Sequence, residues 1–226
     1  MTQTFKEAFY FFRSNVLKIL TYTFAIGLLV LLIAQLLIPV FFDGVSAEEI
    51  NQESIRPFAQ LMNLVIQPIY TGGLIVLIYS LAKEQGKGVL NSLYAGVLRW
   101  PYMLLANVIT SFIIFGGLLL FVLPGIWLFS RLFLVPYLVI LKNKTPFEAI
   151  IDSFKLTKGY SLTILIDIII LVMLFVVGFV FINLVQLANP IILLAYILIF
   201  QSMAYVLYYR HYEILIKSPV ELEQTD

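Results

Sequence analysis

Long runs of apolar residues, separated by short clusters of charge, repeat from one end of the chain to the other. A helix needs roughly 20 mostly apolar residues, at about 1.5 Å each, to cross a hydrocarbon core. Ile19 to Phe42 and Pro57 to Ala82 are the first two runs of that kind. From Trp100 to Ser130 there is no charge, which is too long for one crossing, and Leu123-Pro124-Gly125 within it is a turn signal. Cutting there predicts spans from Pro101 to Val122 and from Ile126 to Leu141. Gly159 to Tyr209 is cut in the same way at Gln186 to Pro190, giving Tyr160 to Val185 and Ile191 to Tyr209. The pattern therefore predicts an all-α, six-span membrane protein.

The segments between spans carry helical periodicity of their own. Phe147, Ile150, Ile151 and Phe154 occupy i, i+3, i+4 and i+7, with Glu148, Asp152 and Lys155 opposite. Thr145-Pro146-Phe147-Glu148 reads as a capping box with proline at the first helical position, and Gly159 reads as the stop. Near the start, Thr4-Phe5-Lys6-Glu7 has the same T-x-x-E form, followed by Phe9, Phe12 and Val16 at helical spacing. The middle segment, Val89 to Arg99, lacks the box. The reading is a single integral membrane domain, 1–226, of three repeats (1–82, 87–141 and 145–216), each an interfacial helix followed by a helical hairpin. Residues 217–226 form a short polar tail. Such helices serve either as elbows that orient the spans or as contacts with the lipid surface.

Composition supports the same class. Of 226 residues, 62% are hydrophobic and 12% charged, about half the charge of a soluble domain. Lys6, Arg13 and Lys18 precede an apolar run too long for a signal peptide, so the first run is read as a retained span. With both termini cytoplasmic, twelve Lys and Arg fall on inner segments and only Arg56 on an outer one, beside Asp43, Glu48, Glu49 and Glu53. Tyr208, Tyr209 and Tyr212, and Trp100 with Tyr102, are expected as interfacial anchors. There is no Cys and one His, His211, which removes disulfides, thiolate metal sites and cysteine nucleophiles. No GxSxG, Walker A or GxGxxG motif is present. The net charge of +1 offers no basic face for nucleic acid. No cofactor or metal is expected, and no catalytic residue. His211 is expected at the inner boundary, facing water.

Chemistry inside the spans concentrates on few residues. Arg131 and Asp167 are the charges clearly within spans, at similar estimated depth, and ionisable groups are costly there. They are expected either to pair with each other or to leave Arg131 holding a lipid phosphate or other anion. Asn63, Gln67, Asn107, Asn183, Gln186 and Gln201 are suited to interhelical hydrogen bonds, and Gly72-Gly73 and Gly116-Gly117 to close packing. Gln67-Pro68-Ile69-Tyr70-Thr71-Gly72-Gly73 predicts a broken second helix, and broken helices mark transporter sites. Gln67, Thr71 and Asn107 are the residues of that candidate transport path.

Leu123-Pro124-Gly125-Ile126-Trp127-Leu128, Arg131-Leu132, Pro136, and Thr145 to Ala149 continuing through Ser153-Phe154-Lys155-Leu156-Thr157-Lys158-Gly159 form one further pattern. It resembles the YciC family of bacterial inner-membrane proteins, and more distantly the membrane domain joined to some glycerophosphodiester phosphodiesterases. The resemblance implies a bacterial inner-membrane location and six spans, and no chemistry. The specific motif lies within residues 123–159, and the phosphodiesterase activity is not expected to carry over. The sequence reading is a non-enzymatic, envelope- or lipid-associated membrane protein, with lipids and an unidentified membrane protein as partners. Its rival is a small transporter or channel with a site near the second helix.

Overall fold

The computed structural model describes residues 2–41, 52–185, 187 and 189–222. Among them the structure is all α, in nine helices: α1 Gln3–Phe41, α2 Gln52–Ala82, α3 Val89–Leu98, α4 Trp100–Leu120, α5 Val122–Leu132, α6 Val135–Leu141, α7 Pro146–Leu156, α8 Ser161–Leu184 and α9 Pro190–Leu222. Six stretches are long and apolar enough to cross a membrane, at Gln3–Leu37, Gln60–Ala82, Trp100–Leu120, Val122–Leu141, Ser161–Leu184 and Pro190–Lys217. Most of the expected outer loop, including Ser46, Glu48 and Glu49, lies outside the described residues, as do Gln186 and Ala188 of the turn before α9.

Several expected boundaries move, each for a physical reason. Pro124-Gly125 is not the turn. Phe121 is extended (φ −162°, ψ 151°), and Pro124 sits in the first turn of α5, where no intrahelical donor is missed. Gly125 is there for packing: a Cβ would stand 2.4 Å from Leu118 Cγ, so only glycine lets α5 fold back against α4. The second helix is likewise unbroken, α2 running through Pro68. On either side of that proline, Trp100 donates its indole N–H to the Val65 carbonyl at 2.7 Å, and Tyr22 donates its hydroxyl to the Tyr70 carbonyl at 3.0 Å. Trp100 thus serves as an interhelical tie. The break falls in the fourth span, between Leu132 and Val135, ahead of Pro136. Proline there has no N–H for the Leu132 carbonyl, and its ring crowds the preceding turn.

The amphipathic segments also depart from a simple repeat of three. At the N-terminus Thr2, not Thr4, caps α1, its Oγ accepting from Phe5 N at 3.3 Å, while Glu7 is drawn to Arg210 at 2.8 Å. The stretch then continues without interruption into the span. Helix α3 lies along α2, where Gly96 meets Gly72 and Gly73. Only α7 forms the expected box, with the Thr145 side chain on Glu148 N and the Glu148 carboxylate on Thr145 N.

In lipid the hydrophobic effect does not drive helices together, so close packing and hydrogen bonds must. Tyr209 and Tyr212, expected as interfacial anchors, instead turn inward and pack with Tyr137, the Tyr137–Tyr212 rings stacking at 5.6 Å. Tyr137 donates to the Tyr205 carbonyl at 2.6 Å, tying α6 to α9. Thr23 and Ser202 lie 2.9 Å apart and join α1 to α9. Outward, faces such as Leu28, Leu32 and Leu36 on α1 and Phe112, Phe115 and Leu119 on α4 are exposed and suit contact with acyl chains.

The glycine crossing generates a paired prediction. A Cβ at Gly96 would lie 2.5 Å from the Ile69 carbonyl oxygen and 2.6 Å from the Gly73 nitrogen, both backbone atoms that cannot yield. Gly96→Val should lower the melting temperature in detergent, costing about 3 kcal/mol or more if α2 and α3 are forced apart. Gly116→Ala, with nothing within 4 Å of the added carbon, should be neutral or slightly stabilising. Equal melting temperatures for the two variants would rule out the crossing.

Candidate functional site

The break before Pro136 organises the site. Ending α5 at Leu132 interrupts the helical ladder inside a span, where a bare carbonyl is costly. Helix α7 supplies a donor at the break: Ser153 Oγ donates to the neighbouring Arg131 carbonyl at 2.6 Å. Thr157 Oγ, which bonds the Ser153 carbonyl at 2.6 Å, lies 3.4 Å from the same Arg131 oxygen. To bring these hydroxyls in, α7 buries a face of small residues, Pro146, Ala149 and Ser153, continued by Thr157. The expected apolar face is therefore not the buried one. Phe147 and Ile151 point outward, exposed, and only Ile150 and Phe154 pack partly inward. Gly159 takes φ +86° just beyond, the expected stop.

The Arg131 side chain returns across the same junction. It is 9% exposed, its Nη2 donates to the Phe154 carbonyl, and its guanidinium lies 5.5 Å from the Trp127 ring centroid and 5.4 Å from that of Phe154. Two aromatic faces stabilise a cation electrostatically but supply no counter-charge. Nε is buried and without a partner, and no carboxylate among the described residues lies within ion-pair distance of Arg131.

Asp167 is elsewhere. The expected Arg131–Asp167 pair does not form: α7 captures the arginine, and α9 brings His211 within ion-pair distance of the aspartate. Asp167 is fully buried, its Oδ2 3.1 Å from His211 Nε2 and its Oδ1 accepting from the Thr2 hydroxyl. His211 is 5% exposed, not facing water, with its ring edge-on to Phe133 at 5.9 Å. The adjacent residue of α9, Arg210, bridges Glu7 at 2.8 Å and Glu213 at 2.7 Å, and Lys83 reaches Glu213 at 3.2 Å. The start of α1, the end of α2 and α9 are thus joined through charge. Sequence reasoning missed these partners. The available signal was that Asp167 needs a donor and the chain holds a single histidine.

The candidate transport residues separate. Gln67 lines a cavity of about 290 Å³ between α1, α2 and α9, and Asn107 a different one of about 180 Å³ between α4, α5, α6 and α9. Thr71, buried, bonds the Tyr205 hydroxyl at 3.0 Å, and Tyr70 and Tyr205 each wall one of the two spaces. No group of three His, Cys, Asp or Glu side chains gathers among the described residues.

Comparison with known proteins gives a limited likeness. Over 130 residues the chain is 27% identical to UPF0259 membrane proteins of Buchnera aphidicola subsp. Acyrthosiphon pisum, in strains Tuc7, 5A and APS. The match covers 50% of this chain, and the chain spans about half the length of these relatives, 51%. Their description places them in membranes and assigns no activity. No protein-family model matches, and no solved structure matches.

Two predictions follow from the geometry of the charges. In double-mutant cycles read by thermal unfolding in detergent, Asp167→Asn and His211→Gln should be coupled by about 1 kcal/mol or more, whereas Asp167→Asn and Arg131→Met should be additive. The reverse pattern would restore the expected arginine–aspartate pair. The second concerns the α7 box. The Thr145 backbone N–H and then its hydroxyl hold the Glu148 carboxyl below its ordinary value. A carboxyl lowered on folding contributes stability that is present above its unfolded pKa and lost as pH falls through the folded one. Amide exchange in the first turn of α7 should therefore accelerate, once corrected for intrinsic rates, as pH is lowered through the acid range. In Thr145→Ala, which costs about 1 kcal/mol of local stability, that pH response should be reduced. An identical response in both proteins would show that the box is not its source.

Proposed function

We propose that the protein is a non-enzymatic, lipid-associated membrane protein that holds the phosphate of an anionic lipid at Arg131. One observation carries this reading: a guanidinium only 9% exposed, set against two aromatic rings, has a buried unpartnered Nε and no carboxylate partner among the described residues. A buried charge without compensation is costly, and the planar donor fork of arginine matches phosphate oxygens. The surroundings agree in sign. Lys142, Lys155 and Lys158 are exposed around α7 and have no acidic partner among the described residues, while Lys144 is paired with Asp152. Outward-facing Phe147 and Ile151 offer apolar contact beside them. Beside the aspartate–histidine pair stands the Thr2 hydroxyl, bonded to the aspartate itself, and no group of three His, Cys, Asp or Glu side chains gathers there among the described residues. Transport draws less support, since Gln67 and Asn107 line different cavities and Thr71 is bonded to Tyr205.

The same reading keeps both termini and α7 on the cytoplasmic side of a bacterial inner membrane, on the strength of the lysine and arginine asymmetry. A cysteine at Ser46 of this cysteine-free chain should then label from the outside only. Lipid binding is tested by native mass spectrometry after graded delipidation. Wild type should retain phosphatidylglycerol over phosphatidylcholine, and Arg131→Met should weaken that preference about tenfold, the worth of one charge-assisted contact. Asp167→Asn should leave it intact. Undiminished preference in Arg131→Met would overturn the assignment.

A further inference from the structure

A second site is marked by amides where the membrane would be. Asn63 and Gln67 stand one turn apart on α2, both exposed, among exposed Leu61, Leu64 and Val65. That face is built for hydrocarbon, yet neither carboxamide has a hydrogen-bonding partner among the described residues. Polar groups turned towards lipid without partners are unfavourable, so two on one face call for something to bond. The cavity of about 290 Å³ opens beside them, and Gln201 of α9 lines its other side. Its floor is already satisfied, Thr23 lying 2.9 Å from Ser202 and 3.4 Å from the Tyr70 hydroxyl. The free hydrogen-bonding capacity is therefore at the rim.

We infer that this cavity binds the polar core of an uncharged glycerolipid, one with ester carbonyls and a free hydroxyl, entering sideways from the bilayer. Three features select that class. No charged side chain among the described residues lines the space, so neither a phosphate nor an amine is compensated by them. Each of the three carboxamides both donates and accepts, which suits ester carbonyls and a hydroxyl together. The volume is at the lower bound of small-molecule sites, so it holds the glycerol core and leaves the chains in the bilayer. Gly27 keeps the lip open: a Cβ there meets only Leu198 Cδ1, at 3.7 Å, so small residues fit and large ones would fill the mouth. The site is separate from Arg131 in place and in ligand charge.

The test uses two photoactivatable probes with identical acyl chains, a diacylglycerol and a phosphatidic acid, on the full chain in phosphatidylcholine nanodiscs. The diacylglycerol probe should label peptides of α1, α2 or α9 bordering the cavity, and excess unlabelled diacylglycerol should compete. Asn63→Leu/Gln67→Leu should lower labelling by about fivefold to tenfold, from two interhelical-strength hydrogen bonds. Its melting temperature should not fall, because no bond within the protein is lost. Gly27→Leu should block labelling while retaining every amide, and Arg131→Met should leave it unchanged. Equal cavity labelling by the phosphatidic acid probe, or full labelling of the double-leucine variant, would overturn the proposal. So would quantitative disulfide formation between two copies of Gln67→Cys, since the amides would then face a second chain.

Discussion

A backbone carbonyl inside hydrocarbon must find a donor, and at Arg131 it finds one on another helix. Pro136 makes the fourth span into two helices, α5 and α6. At the break Ser153 of α7 bonds the Arg131 carbonyl, and Thr157 bonds the Ser153 carbonyl in turn. Much of the remaining architecture follows. Helix α7 must bury its small face to approach, so its aromatic and aliphatic residues turn outward. A proline does not by itself decide where a membrane helix breaks. Pro68 leaves α2 continuous, with side chains from α1 and α4 bonding carbonyls beside it, whereas the residues after Leu132 do not continue the helix.

The treatment of charge follows the same economy of donors. Asp167 lies 3.1 Å from His211 and accepts from the Thr2 hydroxyl, and the neighbouring ion cluster of Glu7, Arg210, Glu213 and Lys83 is partly solvated. Arg131 differs. Its cation is held by a carbonyl and two ring faces, which orient it without neutralising it. A site that orients a charge and leaves donors free is suited to an anion from outside the chain. That contrast is why the arginine, and not the aspartate, carries the functional reading.

Packing is equally selective. Glycines at 72, 73 and 96 bring α2 and α3 to backbone contact, and Gly117 with Gly125 does so for α4 and α5. Gly178 makes room for Tyr196, whose hydroxyl donates to the Phe175 carbonyl at 2.6 Å across α8 and α9. Tyrosines then fill the wider interior, because an aromatic ring packs while its hydroxyl answers a carbonyl. Outside that interior, the amides of Asn63 and Gln67 are exposed among apolar neighbours.

The class of the protein was legible in the chain. Apolar run length alone sets six crossings, because hydrocarbon thickness is a fixed ruler, and a capping box read at Thr145 and Glu148 is local enough to be seen without a fold. Close packing at Gly72-Gly73 was also legible, since small pairs have few other uses. The partners of the polar residues were not. Arg131 and Asp167 lay at matching depth along their helices, but depth says nothing about azimuth, and rotation about each axis points them at different neighbours. Likewise the helical spacing of Phe147, Ile150, Ile151 and Phe154 gives an apolar face without saying whether protein or lipid covers it. In water that ambiguity would be resolved by hydrophobicity. In a membrane both sides are apolar, so the choice passes to the hydrogen bonds that a broken backbone requires, and these exist only in the tertiary structure.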